Sequence, residues 1–166
     1  SDMNTGLYVY RPDRNYGVVY ASVSDGASPM EGATIYVAET GDSVQTGEDG
    51  LAAYAPAPGS YSLRIRKFGY EDTFGSVTIN RGGHITLAFT LIPRVRGRFS
   101  GSVVDASTGL PLEGAEVELR FTPVRGFTDA SGAFDLGLVP LGSYRVEVRR
   151  PGYVPGLLAR GISAVS

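Results

Sequence analysis

The chain has 166 residues, a formal charge of −2, no cysteine, 23 glycines and 10 prolines. Without cysteine there is neither a disulfide framework nor a thiolate metal site, and the near-neutral balance lacks the basic footprint of a nucleic-acid binder. No apolar run approaches the ~18 residues of a membrane-spanning helix, so no direct membrane insertion is expected.

Taken in order, residues 1–16 contain TGLYVYRPD at 5–13, which resembles ITLAFTLIP at 85–93. This predicts a strand kept from a preceding repeat, and hence a segment of a longer array. From residue 17 the apolar positions recur every second residue: Ala33, Ile35 and Val37, then Tyr61, Leu63 and Ile65. Period two predicts half-buried strands with a wet outer face. Turn residues separate them at Gly41-Asp42, Asp49-Gly50, Pro58-Gly59 and Gly82-Gly83, and strands farther along at Thr108-Gly109, Ser131-Gly132 and Leu141-Gly142, where glycine is expected to supply positive φ.

Beyond residue 94 the pattern is written again. PMEGATIYV at 29–37 returns as PLEGAEVEL at 111–119, TGEDGLAAY at 46–54 as TDASGAFDL at 128–136, and PGSYSLRIRKFGY at 58–70 as LGSYRVEVRRPGY at 141–153. Self-similarity of this length predicts one supersecondary unit used twice. The reading is all-β: two tandem small Greek-key sandwiches, 17–93 and 94–166, of about seven strands each. The second lacks an equivalent of the strand carrying Ile85, Leu87 and Phe89, so it is expected to leave one sheet edge unpaired. Residues 17–93 carry four basic against eight acidic side chains, a net of −4, and residues 94–166 carry nine against seven, a net of +2. These are two separately solvated surfaces, or opposite fields that help the halves pack or bind a partner.

The stretches GSVVDASTGLPLEGAEVEL and TDASGAFDLGLVPLGSYRVEVRRPGY of the second repeat resemble the carboxypeptidase regulatory-like domain, a family of the prealbumin (transthyretin-like) sandwich class related to Cna-B-type adhesin domains. The first repeat is looser, with Ala21 where the pattern has Gly and a shorter turn after its first strand. The resemblance implies a non-catalytic spacer or adhesion module in a bacterial extracytoplasmic protein, with the parent's neighbouring domains as partners and no cofactor. Accessory domains of secreted peptidases and phage-tail spacers are the alternatives. In either repeat Tyr61 and Tyr144 are expected to tie their hydroxyls to nearby backbone.

Candidate chemistry is sparse. His84, the one histidine, follows a Gly-Gly turn, and a lone imidazole builds neither a multi-histidine zinc site nor a triad. The resemblance to Cna-B domains raises a Lys–Asn crosslink, for which Lys67 and Asn80 are the sole pair; Lys67 lies late, beside Arg66 on a strand end, and no crosslink is expected. Asp42, Glu48, Asp49, Asp129 and Asp135 cluster on turns, where bracing the turn needs fewer assumptions than a calcium ion with its ~6–8 oxygens. No catalytic, cofactor or metal residue is therefore assigned. The one surplus is tyrosine: Tyr8, Tyr10, Tyr20 and Tyr36 alternate with apolar residues and form a candidate surface for a carbohydrate or protein ligand, unless they pack on an adjacent sandwich.

Overall fold

The computed structural model describes residues 16–162, and among them there is no helix. The N-terminal strand expected within 1–16, with Tyr8 and Tyr10, lies outside the described residues. Contacts divide the chain into two compact units, Ser1–Lys67 with Asp72–Ile92, and Phe68–Glu71 with Pro93–Ser166. The division falls within one residue of the sequence boundary except for 68–71. In the second unit, the Arg94 amide donates to the Gly69 carbonyl at 2.9 Å and its guanidinium Nε to the Tyr70 carbonyl at 3.0 Å.

Among its described residues the first unit has seven strands: β1 (Val18–Ser24), β2 (Thr34–Val37), β3 (Ser43–Gln45), β4 (Leu51–Tyr54), β5 (Gly59–Arg66), β6 (Thr73–Ile79) and β7 (His84–Thr90). They form a three-stranded sheet in the order β4-β1-β7 and a four-stranded sheet in the order β3-β2-β5-β6. Every neighbour is antiparallel except β7, which lies parallel to β1 with Ala21 opposite Leu87 and Val23 opposite Phe89. The alternation expected from the sequence holds: Ala33, Ile35, Val37, Leu63 and Ile65 are buried, as are Val19, Ala21 and Val23 of β1, so the sheets close on an apolar interior. Gly75 on β6 lets the Phe89 ring in, since a Cβ there would stand 2.7 Å from its Cε1.

Among its described residues the second unit repeats the plan with six strands: β8 (Arg96–Ser102), β9 (Glu116–Leu119), β10 (Arg125–Phe127), β11 (Ala133–Pro140), β12 (Gly142–Arg149) and β13 (Gly156–Ile162). The four-stranded sheet runs β10-β9-β12-β13, and β8 pairs with β11 alone. The register is shared to the residue. Tyr20, Ala21 and Ser22 face Ala53, Ala52 and Leu51, while Ser100, Gly101 and Ser102 face Asp135, Phe134 and Ala133. Among the described residues nothing occupies the edge of β8 that corresponds to β7 on β1.

The two glycine positions Gly59 and Gly142 differ from expectation. Neither has positive φ; each opens its strand beneath the ring of Tyr61 or Tyr144. The left-handed conformation is instead essential at Gly50 and Gly132, with φ of 72° and 74°, where a Cβ would press to 2.6 Å and 2.5 Å from the Val23 and Val103 carbonyl oxygens.

Candidate functional site

The groups that carry chemistry in each unit are engaged in bracing it. Thr46 and Thr128 are buried, and each hydroxyl donates to a backbone carbonyl, of Met30 or Leu112, while accepting from the amide of Ala33 or Ala115 at 2.9 Å. The Tyr61 hydroxyl donates to the Ala57 carbonyl at 2.8 Å and the Tyr144 hydroxyl to the Pro140 carbonyl at 2.7 Å, four residues upstream in both cases, as expected. Burial of the Tyr144 phenol raises its pKa above the ordinary tyrosine value. Asp25 accepts from the amides of Ala27 and Ser28, and Asp105 from those of Ser107 and Thr108. These amide bonds hold both carboxyls below the usual aspartate range.

Four of the five turn carboxylates considered for calcium, Asp42, Asp49, Asp129 and Asp135, have partners within the fold. Asp49 accepts from the Leu51 amide at 3.0 Å, and Asp129 from the hydroxyl and amide of Ser131 and the amide of Ala133. Asp42 accepts from the Tyr54 hydroxyl at 2.6 Å, and Asp135 pairs with Arg98. Among the described residues no group of three or more His, Asp or Glu side chains could hold a metal ion. His84 is exposed at the first position of β7. The Lys67 ammonium donates to the Glu31 carbonyl.

Of the tyrosine surface, Tyr20 and Tyr36 can be placed, and they do not come together. Tyr20 stands between buried Val19 and Ala21 on β1, Tyr36 between buried Ile35 and Val37 on β2. The two strands belong to different sheets that share one interior, so their outward side chains leave on opposite faces. Tyr20 has only Ala53 and Thr86 beside it in register.

Tyr36 belongs to a larger assembly. Across the outer face of the four-stranded sheet the register aligns Ser43, Tyr36, Arg64 and Phe74 in one row. Phe74 is 70% exposed and Tyr36 42%. The Arg64 guanidinium lies 5.9 Å from the centre of the Phe74 ring, and its Nε donates to Asp72 at 2.8 Å. Partial burial would raise the Asp72 carboxyl, but the Arg64 hydrogen bond and the charges of Arg66 and Arg64 outweigh it and leave it lowered. Two exposed aromatic faces flanking a fixed guanidinium offer stacking area and donors together. Sequence reasoning missed Phe74, although the parity of Val77 and Ile79, both buried, sends Phe74 outward.

The matching face of the second unit is charged instead. Glu116, Glu118 and Glu147 share it with Arg120, Arg125 and Arg149, and the like charges Glu118 and Glu147 stand directly opposite. Arg149 bridges both at 3.6 Å and 2.8 Å. The Arg120 hydrogen bond holds the Glu147 carboxyl low against a smaller opposing effect of burial, with Arg149 adding to the lowering.

Residues 98–159 match the carboxypeptidase regulatory-like domain. The match falls within the second unit. Bacillopeptidase F of Bacillus subtilis (strain 168) is 28% identical over 126 residues, covering 73% of this chain and 9% of that protein. The chain therefore spans less than a tenth of that relative. Among solved structures, a single-substitution mutant of the shaft pilin SpaA of Lactobacillus rhamnosus GG overlaps 91% of this chain and 100% of its own, at 12% identity and a TM-score of 0.49. The streptococcal ancillary pilin overlaps 91% of this chain and 60% of its own, at 17% identity and a TM-score of 0.47.

Proposed function

We propose that the chain is a non-catalytic structural segment, a spacer or adhesion module, of a larger extracytoplasmic protein, and that its first unit is a second, diverged copy of the carboxypeptidase regulatory-like domain. One observation carries this reading. The hydroxyls of Thr46 and Thr128, those of Tyr61 and Tyr144, and the carboxylates of Asp25 and Asp105 brace turns and strands at equivalent places in the two units. The equivalences also locate the divergence. Asp25 and Asp105 are 80 residues apart, Thr46 and Thr128 82, and Tyr61 and Tyr144 83. The second copy thus has two more residues in the turn after its first strand and one more at the irregularity between Asp135 and Leu138 on β11.

A spacer must hold its ends apart under load, and stretching single molecules tests that directly. The expected record is two separate unfolding steps, each releasing on the order of 25 nm of chain. A smooth extension with no resistance would sink the reading. The similarity to bacillopeptidase F supports a second reading, an accessory domain of a peptidase, which predicts that removing this segment from its parent alters peptidase activity. The row Tyr36-Arg64-Phe74 supports a recognition role toward carbohydrate or protein. Glycan-array binding that is lost in Tyr36→Ala and Phe74→Ala but kept in Tyr20→Ala would establish it, and equal signals from all three would dismiss it.

A further inference from the structure

Beside the row of Tyr36, Arg64 and Phe74, the outer face of the sheet β3-β2-β5-β6 carries a second row. The register aligns Gln45, Thr34 and Arg66 one step along the strands, ~6.6 Å away. Parity puts both rows outside, because Ile35, Leu63 and Ile65 between them are buried. On the other side of the aromatic row come Ser62 with Ser76, then Ser60 with Thr78, whose hydroxyls share a hydrogen bond at 3.0 Å. Tyr36 and Phe74 therefore stand among short hydroxyl and amide side chains, on strands two spacings or ~9.6 Å apart. That is the reach from one sugar ring to the next but one in an extended polysaccharide.

The positive charge of the first unit is gathered on the same face. Of the four basic residues within 17–93, three fall at 64–67: Arg64, Arg66 and Lys67. Lys67 is turned to the Glu31 carbonyl. Arg64 and Arg66 are each about half exposed, and both donate to one carboxylate, Asp72. A guanidinium has five N–H donors, and Asp72 takes two from Arg64 and one from Arg66. Two cations against one anion leave this cluster at +1 in a stretch whose net charge is −4. The nearest acidic neighbour in the row beyond, Glu39, is held by the Ser62 amide on both of its oxygens.

We propose that this face binds an extended acidic polysaccharide, one whose sugars carry a carboxylate, lying across the strands. Alternate rings stack on Phe74 and Tyr36, and the carboxylate of the ring at Tyr36 is taken by the Arg66 guanidinium, with Thr34 and Gln45 beside it. This rests on the recognition reading of the Tyr36-Arg64-Phe74 row and adds the chemistry of the ligand. A protein partner fits the face less well. At ~150–250 Å² per aromatic side chain, exposures of 70% and 42% leave roughly 170–280 Å² of ring surface. A stable protein interface takes ~800 Å² from each partner, and serine, which surrounds these rings, is depleted from such interfaces.

Calorimetric titration of the intact chain with two pentasaccharides tests it: a β-1,4-linked oligoglucuronate and the β-1,4-linked oligoglucose that differs from it only at the C6 carboxylates. The oligoglucuronate is expected to bind at least about tenfold more tightly. Arg66→Gln is expected to bring the two affinities to within about twofold, and raising salt from about 0.01 M to about 0.1 M to narrow the wild-type difference without any substitution. Tyr36→Ala and Phe74→Ala are each expected to weaken oligoglucuronate binding at least about threefold, and Tyr20→Ala, on the other sheet, to leave it unchanged. Equal affinity for the two sugars, with loss in Tyr36→Ala and Phe74→Ala, overturns the acidic ligand and leaves the recognition reading standing. Oligoglucuronate binding indifferent to both of those variants, or no binding of either sugar, overturns the proposal together with the carbohydrate side of that reading. A preference for oligoglucuronate that neither salt nor Arg66→Gln alters overturns the role given to Arg66 and with it the proposal.

Discussion

Thr46 and Thr128 each connect the residue preceding a strand to the turn before it with one hydroxyl, satisfying a buried amide and a buried carbonyl at once. Valine has the same shape and neither hydrogen-bonding function. Thr46→Val or Thr128→Val is therefore expected to destabilise its own unit by about 3 kcal/mol, because two polar groups lose their partner where water does not replace it; chemical denaturation measures it. At Phe121 the sign reverses. This residue has φ of 64° with its side chain 85% exposed, so it bears the strain of a left-handed backbone and buries little in return. Relief of roughly 1–2 kcal/mol exceeds the ~0.5 kcal/mol given up by losing the Arg120 guanidinium 5.4 Å from the ring, and Phe121→Gly is expected to stabilise the second unit by about 0.5–1 kcal/mol. The tyrosine bonds to upstream carbonyls were legible in the PGSY and LGSY repeats. The threonines were not, since a buried threonine and an exposed one read alike in a period-two pattern. Gly59 and Gly142 were misread because glycine beside proline or leucine suggests a reversal, whereas these two make room beneath a tyrosine ring.

Single strands were legible wherever alternation ran for three or more apolar positions, as along β2, β5, β9 and β12. What alternation does not reveal is which side chains meet across strands, and the outer faces therefore had to be seen: an aromatic–guanidinium row on one unit, an ion-pair cluster on the other. On the sheet β10-β9-β12-β13, Glu118 and Glu147 oppose one another and would repel without Arg120 and Arg149. Glu147 is held below the ordinary glutamate value when folded. A lowered folded pKa contributes stability above the unfolded value near 4.5 and loses it as pH falls through the folded one. The second unit is thus expected to lose stability as pH falls from about 5 toward 3, and Glu147→Gln to flatten that fall by removing the titrating group. Thermal melts of the two proteins across this range decide it; parallel curves would show that the ion pairs contribute nothing. Added salt should also reduce the wild-type dependence, because these charges lie at the surface.

At the scale of the molecule the repeat predicts two folding units, and the unequal strand count among the described residues predicts that they are not equally stable. Units of this size bury only about 60% of the surface of the unfolded chain, so one strand is a large share of what each has. The first has β7 to shield Val23 and Phe89 closes over Gly75, while the second leaves Phe99, Val103 and Val148 half-buried. The second unit is expected to melt first, in a transition separate from that of the first. Substitutions assign the transitions. Thr128→Val should lower only the earlier one and Thr46→Val only the later one, each by several degrees per kcal/mol for domains of this size. A calorimetric scan with one cooperative transition, shifted alike by both substitutions, would mean that the repeated sequence folds as a single unit.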